Sequence, residues 1–224
     1  MFSDTRKTRR LLLIAALFVF LQVIGVLLYV WLHEPAPVVI ANYQADFQGP
    51  TPKPGWQYLW TGHGELGRAT NYAPLVWNGS AYNLDGDPVM PRPLPAKYLR
   101  MGATGGHPGQ GRDQEGGVGN QIDRYVFAAF TAPAAGEYFI TNSTARRNDG
   151  PLKGHIVLRV FVNDTEVGPQ LICDRKEAQS FDRALNQLKS GDTIYVAVGP
   201  DSSDYNDSFA LDFSIAAQRL KRFP

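Results

Sequence analysis

The chain begins with a long apolar run in which polar residues do not recur at helical spacing. Residues 11–32 read LLLIAALFVFLQVIGVLLYVWL, and Gln22 is the only strongly polar residue among these 22. As an α-helix the run would extend about 33 Å at roughly 1.5 Å per residue, enough for a bilayer core about 30 Å thick. Because no polar face is present, an amphipathic surface helix does not fit. The pattern predicts one transmembrane α-helix over residues 11–32.

The flanks of this run indicate an uncleaved anchor and its orientation. A cleavable signal peptide usually has an apolar stretch of only about 7–15 residues that ends at a small-x-small site. Here the stretch is longer, and Pro35-Ala36-Pro37 follows it. Four basic residues precede the run, and none follows until Lys53: Arg6, Lys7, Arg9 and Arg10. The positive-inside rule predicts a single-pass protein of the inner membrane, with the N-terminus in the cytoplasm and the main domain in the periplasm.

Strand-like alternation dominates the rest of the chain. Residues 35–121 hold 11 of the 16 prolines and 15 of the 22 glycines, which predicts loops and short strands. Residues 122–216 alternate more regularly, as in the segments 155–162 and 208–215. Turn residues separate such segments, and no long helical pattern occurs, which predicts an antiparallel β-sandwich.

The fold class is therefore all-β, a sandwich preceded by one transmembrane α-helix. Five parts are expected along the chain: a basic cytoplasmic tail (1–10), the membrane helix (11–32), a juxtamembrane linker with a first strand (33–46), the periplasmic sandwich (47–216) and a basic C-terminal tail (217–224).

Composition and charge exclude several classes of function. The chain has 22 Lys+Arg against 21 Asp+Glu, so a nucleic-acid partner is not expected. One cysteine, Cys173, excludes an internal disulfide, a Cys-x-x-Cys redox pair and a zinc cluster of thiolates. No spacing ties His63, His107 and Glu65 into an acid–base pair or a metal site, so we do not expect an enzyme. Residues 102–119 hold eight glycines without a Gly-Lys-Ser/Thr sequence, which predicts a mobile loop or one ordered by a partner.

Two sets of residues are candidates for partner binding. In the predicted membrane helix, Gln22 and Gly25 would face another helix, and Tyr29 and Trp31 would lie at the membrane interface. In the sandwich, the aromatic residues at positions 56, 58 and 60 alternate and share one strand face. With Trp77 the second set is Trp56, Tyr58, Trp60 and Trp77. Large aromatics dominate cores and protein interfaces, and exposed rings in a row with Tyr72 and Tyr82 would instead form a sugar platform. Both interpretations remain open.

One acidic loop is a candidate calcium site. Carboxylate and amide oxygens are the ligands that calcium takes, and four occur close together: Asp201, Asp204, Asn206 and Asp207. Asx turns explain the same composition without a metal. No other cofactor is expected.

Several segments together resemble a family of jelly-roll-like domains in secreted and surface proteins of bacteria, which look like carbohydrate-binding modules in architecture. They are Gly55-Trp-Gln-Tyr-Leu-Trp60, His107-Pro-Gly109, Phe130-Thr-Ala-Pro-Ala-Ala-Gly-Glu-Tyr138, Phe161-Val-Asn163 and Gly191-Asp-Thr-Ile-Tyr-Val-Ala-Val-Gly-Pro200, with Asn206-Asp207 and Asp212. The resemblance covers roughly residues 47–216 and implies a non-catalytic sandwich. The whole-chain layout also resembles extra single-span subunits of bacterial photosynthetic reaction-centre–light-harvesting complexes.

Two functional hypotheses follow. The first is a structural or accessory subunit of a larger bacterial membrane complex, whose partners are the lipid bilayer and integral membrane subunits. The second is a membrane-tethered carbohydrate-binding module.

Overall fold

The computed structural model describes residues 4–32, 36–62, 64–84, 99–109, 123–148, 154–174, 177–201 and 207–218. The chain divides into two compact units, residues 1–36 and residues 37–224. Each unit is described by itself.

The N-terminal unit contains helix α1 (Asp4–Leu32). Its side chains are described for residues 13–26 and 29, and all of these residues are exposed. Apolar residues occupy every position from Leu17 to Leu21, and at 3.6 residues per turn five consecutive positions go round the whole helix. Among the residues described, no helix is long and apolar enough to cross a lipid bilayer.

The second unit is built from two antiparallel β-sheets. In chain order its elements are β1 (Val38–Asn42), α2 (Tyr43–Asp46), β2 (Trp56–Trp60), a 3-10 turn (Ala69–Asn71), β3 (Ala73–Pro74), β4 (Val76–Trp77), β5 (Tyr82–Asn83), β6 (Arg100–Gly102), β7 (Gly105–His107), β8 (Val126–Thr131), β9 (Gly136–Arg147), β10 (Ile156–Val162), β11 (Thr165–Glu166), β12 (Leu171–Cys173), β13 (Arg183–Leu188), β14 (Thr193–Pro200) and β15 (Phe209–Gln218).

In each sheet, strands that are far apart in the sequence lie next to each other. Counted over the described residues, the first sheet has eight strands in the order β13-β9-β15-β7-β6-β5-β4, with β1 also paired to β15. The second sheet has seven described strands, in the order β11-β10-β14-β8-β2-β3, with β12 also paired to β10. The longest ladder joins β9 to β15, from Arg147 opposite Phe209 to Glu137 opposite Gln218. The β-sandwich predicted from the sequence is therefore confirmed.

The main core lies between the sheets and follows the period-two pattern. On β10 the alternate residues Ile156, Leu158 and Val160 are fully buried, and on β15 Phe213 and Ile215 are buried against the same cluster. Strands with this alternation turn one set of side chains to the core and the other set outward. The segments predicted at 155–162 and 208–215 correspond to β10 and β15, and β15 runs two residues into the predicted tail, to Gln218.

A second apolar cluster lies apart from the main core, among the other residues of the second sheet. Its buried members are Leu59, Tyr125, Phe127, Ala129, Phe161, Tyr195 and Ala197. Three residues of the connection between β2 and β3 pack against it: Leu66, Ala69 and Tyr72. The ring centroids of Tyr72 and Phe127 lie 4.2 Å apart. Because this connection covers the sheet, β8 is buried from Val126 to Phe130, with no polar face.

The glycine-rich segment is ordered where the structure describes it, which differs from the predicted loop over 102–119. Residues up to Gly109 are described, and β6 and β7 pair there as a hairpin. Gly105 has φ 145°, and a Cβ at this position would overlap the backbone of Phe209. A Cβ at Gly106 would overlap the carbonyl of Arg100. These glycines allow close approach of neighbouring backbones, and the rest of the segment lies outside the described residues.

Candidate functional site

The three alternating aromatic residues of β2 belong to the core. Trp56, Tyr58 and Trp60 are 3%, 2% and 3% exposed, and all three lie in the main cluster between the sheets. The indole Nε1 of Trp56 donates a hydrogen bond to the Asp46 carboxylate at 3.2 Å. These side chains therefore offer no sugar platform and no protein-binding surface. Their shared face was predicted correctly, and of the two open interpretations the core packing is the one observed.

The remaining predicted aromatic residue, Trp77, is half-buried and lines an open cleft of about 650 Å³. The cleft lies beside β2 and the segment 73–77. Its other lining residues are Pro50, Pro52, Gln57, Tyr58, Leu59, Ala69, Tyr72, Pro74, Leu75, Val76, Tyr82 and Tyr195. We call this feature the aromatic cleft. Its volume falls within the range of about 300–1,000 Å³ that is usual for small-molecule sites.

Aromatic rings of the cleft are held in place by close packing. A Cβ at Gly49 would overlap the indole ring of Trp77, so this glycine lets the backbone lie directly against the ring. The ring centroids of Trp77 and Tyr82 are 5.1 Å apart. The hydroxyl of Tyr82 donates to the Gln48 carbonyl at 2.7 Å. The side chain of Trp77 is therefore fixed from the core side.

Tyr72 and Tyr195 come from the second apolar cluster and meet at the cleft. Their ring centroids are 5.2 Å apart in an edge-to-face arrangement, which favours aromatic contact. The hydroxyl oxygen of Tyr72 accepts the amide N–H of Gly67 at 2.9 Å. Burial raises the pKa of Tyr72 to about 12, so its hydroxyl keeps its proton at neutral pH. The same hydroxyl can therefore still donate a hydrogen bond.

Tyr58 lines the cleft from the side of the core. Its ring stacks on that of Tyr82, with centroids 4.6 Å apart. Its hydroxyl is buried, and within the described part of the chain it has no hydrogen-bond partner. Burial raises the pKa of Tyr58 well above its usual value, with a smaller effect from Tyr82. An unpaired buried hydroxyl costs free energy, so this group requires an explanation.

The cleft carries no charge among its described lining residues. Its most accessible polar side chain is the amide of Gln57, which lies on the exposed side of β2 between Trp56 and Tyr58. The groups present can stack on a ligand and exchange neutral hydrogen bonds.

The predicted calcium loop is only partly described. Asp204 and Asn206 lie outside the described residues. Asp201 is exposed, with one carboxylate oxygen 3.4 Å from His155 Nδ1, whereas Asp207 is fully buried. Across the described ranges, no group of three or more His, Cys, Asp or Glu residues could hold a metal ion. The calcium site stays a prediction.

The residues predicted to bind partners on α1 are accessible as far as they are described. Gln22 and Tyr29 are exposed, and an added Cβ at Gly25 would meet nothing within 4 Å. The side chain of Trp31 lies outside the described part.

The isolated residues considered for catalysis do not form a site among the described residues. His107 is buried, and its Nδ1 lies 2.6 Å from the Pro108 carbonyl. His63 is not described. Cys173 is fully buried, and burial, with a smaller effect of Asp174, raises the pKa of its thiol to about 11. The sulfur is therefore protonated at neutral pH, as expected for an inert buried thiol.

The aromatic cleft as a whole was not predicted from the sequence. Gln57 and Tyr195 lie on strands whose sequences are typical of core strands. One local signal was available: a polar residue between two core aromatics must point to the opposite side of the strand.

No protein-family model matches the chain, and a search of curated proteins finds no match.

Proposed function

We propose that this chain is a non-catalytic accessory subunit of a larger bacterial membrane complex. The observation that carries the proposal is the exposed apolar surface of α1 from Leu13 to Val26. A helix that is apolar on all sides is stable only when lipid or protein covers it. Lipid together with neighbouring subunits would cover this surface on every side.

The sequence supports a membrane anchor for this helix. The apolar run over residues 11–32 has the length of a bilayer core, and the basic residues are concentrated before it. This arrangement supports an inner-membrane protein with its N-terminus in the cytoplasm and its sandwich in the periplasm. On the helix, Gln22 and Gly25 are the proposed contacts with a neighbouring helix, with Tyr29 and Trp31 at the interface.

The sandwich offers its own apolar surface to a partner at strand β1. Val38, Val39 and Ile40 are 65%, 49% and 42% exposed. In the described residues β1 pairs only with β15, so its other edge is open. Exposed apolar edge strands pair readily with other chains unless something covers them. We therefore assign β1 as the contact of the sandwich with a partner subunit.

The complex that we propose to test first is a photosynthetic reaction-centre–light-harvesting complex. Extra single-span subunits of such complexes share the layout of one N-terminal helix and one external domain. The support for this choice is the resemblance in layout.

Mild-detergent extraction of the native membrane tests the proposal. The extract is separated by size, and mass spectrometry identifies the proteins that comigrate with this chain. We expect a large complex of fixed stoichiometry, and pigment-binding subunits in it would support the photosynthetic assignment. Migration of the chain alone with its micelle would refute the accessory role.

Two matched variants locate the contact. Val39→Lys places a charge on β1, and Ile172→Lys places one on β12, where Ile172 is 44% exposed. We expect the first variant to reduce recovery of the partner several-fold and the second to leave it unchanged. Equal recovery with both variants would contradict the assignment of β1.

Alkaline carbonate washing tests the anchor separately. The wild-type chain should stay with the membrane. Leu17→Arg with Leu21→Arg should release it, because each arginine at the helix centre costs about 2.5–3.5 kcal/mol on insertion scales. Leu17→Ile with Leu21→Ile is the matched control and should behave as wild type. Release of the wild-type chain would exclude an anchor.

A membrane-tethered carbohydrate-binding module is the second candidate function. The specific observation in its favour is the uncharged aromatic cleft, with Trp77 and Tyr72 accessible in it. This function becomes the leading one if the chain comigrates with no partner.

A further inference from the structure

We propose that the aromatic cleft binds a neutral saccharide. The rings of Trp77 and Tyr72 would contact C–H faces of the sugar, and Gln57 would pair with its hydroxyl groups. The inference rests on the second candidate function and names its ligand class and site. It does not depend on the accessory role, since one chain can have both properties.

The absence of charge among the described lining residues selects the class of ligand. A site for a phosphate, a uronic acid or another anion needs basic groups to pair with it, because an unpaired buried charge is costly. A site for a cation needs carboxylates. The cleft instead presents five aromatic residues and three prolines, together with one accessible amide. Uncharged ligands with both apolar and polar faces fit this lining.

The polar groups favour a polyhydroxylated ligand. Gln57 both donates and accepts, and Tyr72 retains a proton to donate. A sugar hydroxyl matches each of these groups, because it is itself a donor and an acceptor.

A proline-rich peptide is the competing ligand, since such peptides dock in aromatic grooves. Prolyl residues offer carbonyl acceptors but no N–H donors. They would leave the acceptor oxygen of Gln57 without a partner. The hydrogen-bond donors and acceptors of the cleft therefore favour a saccharide over a proline-rich peptide.

The cleft is preorganised for a rigid ring. Gly49 fixes Trp77 from one side, and Pro50, Pro52 and Pro74 restrict the backbone of the walls. A site that is already ordered loses little conformational entropy when the ligand binds. Weak but specific binding, with a Kd of roughly 1 mM or lower, is therefore expected.

Binding is measured with the full-length chain in a detergent that contains no sugar, since alkyl glycosides would compete. The probes are neutral oligosaccharides, cellohexaose and the hexamer of N-acetylglucosamine. A proline-rich decapeptide and the anionic oligomer of galacturonic acid are titrated in parallel. Isothermal calorimetry gives the affinity, and the part of the intrinsic fluorescence change that is lost in Trp77→Phe reports on Trp77, since the chain has three other tryptophans.

Three variants assign the site, and a fourth is their control. Trp77→Ala should weaken saccharide binding at least tenfold, and Trp77→Phe should restore part of it. Gln57→Ala should weaken binding roughly two- to tenfold, which is the worth of one neutral hydrogen bond. Gln187→Ala removes the same side chain from an exposed position on β13 and should change nothing. Since Gln57 is exposed, its variant tests the site even if Trp77→Ala disturbs the fold.

The proposal is supported if a neutral oligosaccharide binds and Gln57→Ala weakens it while Gln187→Ala does not. It is overturned if neither saccharide binds up to about 10 mM, well above the expected Kd. Binding that is unaffected by Gln57→Ala and Trp77→Phe also overturns it, because the site then lies elsewhere. Binding of the decapeptide or of the anionic oligomer in place of the neutral sugars overturns the ligand class. None of these results alters the comigration test of the accessory role.

Discussion

Replacing Tyr58 by phenylalanine should stabilise the sandwich in the absence of ligand. The hydroxyl is buried and has no partner in the described residues, and such a group costs roughly 1–3 kcal/mol. Removing the oxygen leaves a void of about 10 Å³, which costs about 0.2 kcal/mol at roughly 24 cal/mol per Å³. The ring contacts with Tyr82 and Phe47 are kept. Tyr58→Phe should therefore raise the free energy of unfolding by about 1–2.5 kcal/mol.

Thermal and urea unfolding of the full chain in detergent measure this gain. For a chain of this size, 1 kcal/mol corresponds to a rise in Tm of about 2–4 °C. Tyr72→Phe is the matched control, because it removes a hydroxyl that accepts the Gly67 amide at 2.9 Å. It should lower stability by about 0.5–1.5 kcal/mol. An unchanged or lowered Tm for Tyr58→Phe would refute the reasoning, since the hydroxyl would then have a partner.

Further predictions concern backbone packing, pH and the second apolar cluster. Gly105→Ala should destabilise the sandwich by several kcal/mol or prevent folding, because the new Cβ overlaps the backbone of Phe209; circular dichroism melting checks this. Burial opposes ionisation of Asp46, but hydrogen bonds from Lys53, Asn42 and Trp56 outweigh it and hold its pKa below the usual value. The ionised Asp46 carboxylate therefore stabilises the fold fully above the pKa of an unfolded aspartate, about 3.9. This stabilisation is lost as pH falls through the lower pKa of Asp46 in the folded chain. Asp46→Asn should flatten this acid dependence in urea titrations, and an unchanged slope would contradict it. Phe127→Ala should cost about 3–5 kcal/mol in the same titrations, as a core residue does, and a loss below 1 kcal/mol would show that the covering connection does not bury it.

The sequence predicted those parts of the sandwich that depend on local alternation. The three aromatics of β2 were expected on one face, and they are buried together. Leu59, on the opposite face of the same strand, is buried as well, at 9% exposed. Its burial depends on the connection between β2 and β3, whose residues Leu66, Ala69 and Tyr72 pack against the same cluster. Alternation within one strand carries no information about what covers its outer face.

Strand β8 shows the same limit. Val126 to Phe130 are buried on both faces, so no period of two separates inner from outer residues. The aromatic cleft depends on Tyr72 and Tyr195, which approach across more than one hundred residues of sequence. The strand order, above all the pairing of β1 with β15, is likewise a long-range property. The alternation of apolar and polar residues predicts where strands lie, but it does not predict which strands pair with each other.

Because β1 pairs with β15, the first sheet cannot be completed until β15 has been synthesised. Asn42 and its partner Ser214 are 172 residues apart. At about 5–20 residues per second, roughly 9–34 s pass between the synthesis of the two residues. Throughout this interval the apolar residues Val38 to Ile40 lack their final strand partner. The first described strand of the domain is thus paired last, and the edge that later pairs with β15 is open to pairing with other chains until β15 has been synthesised.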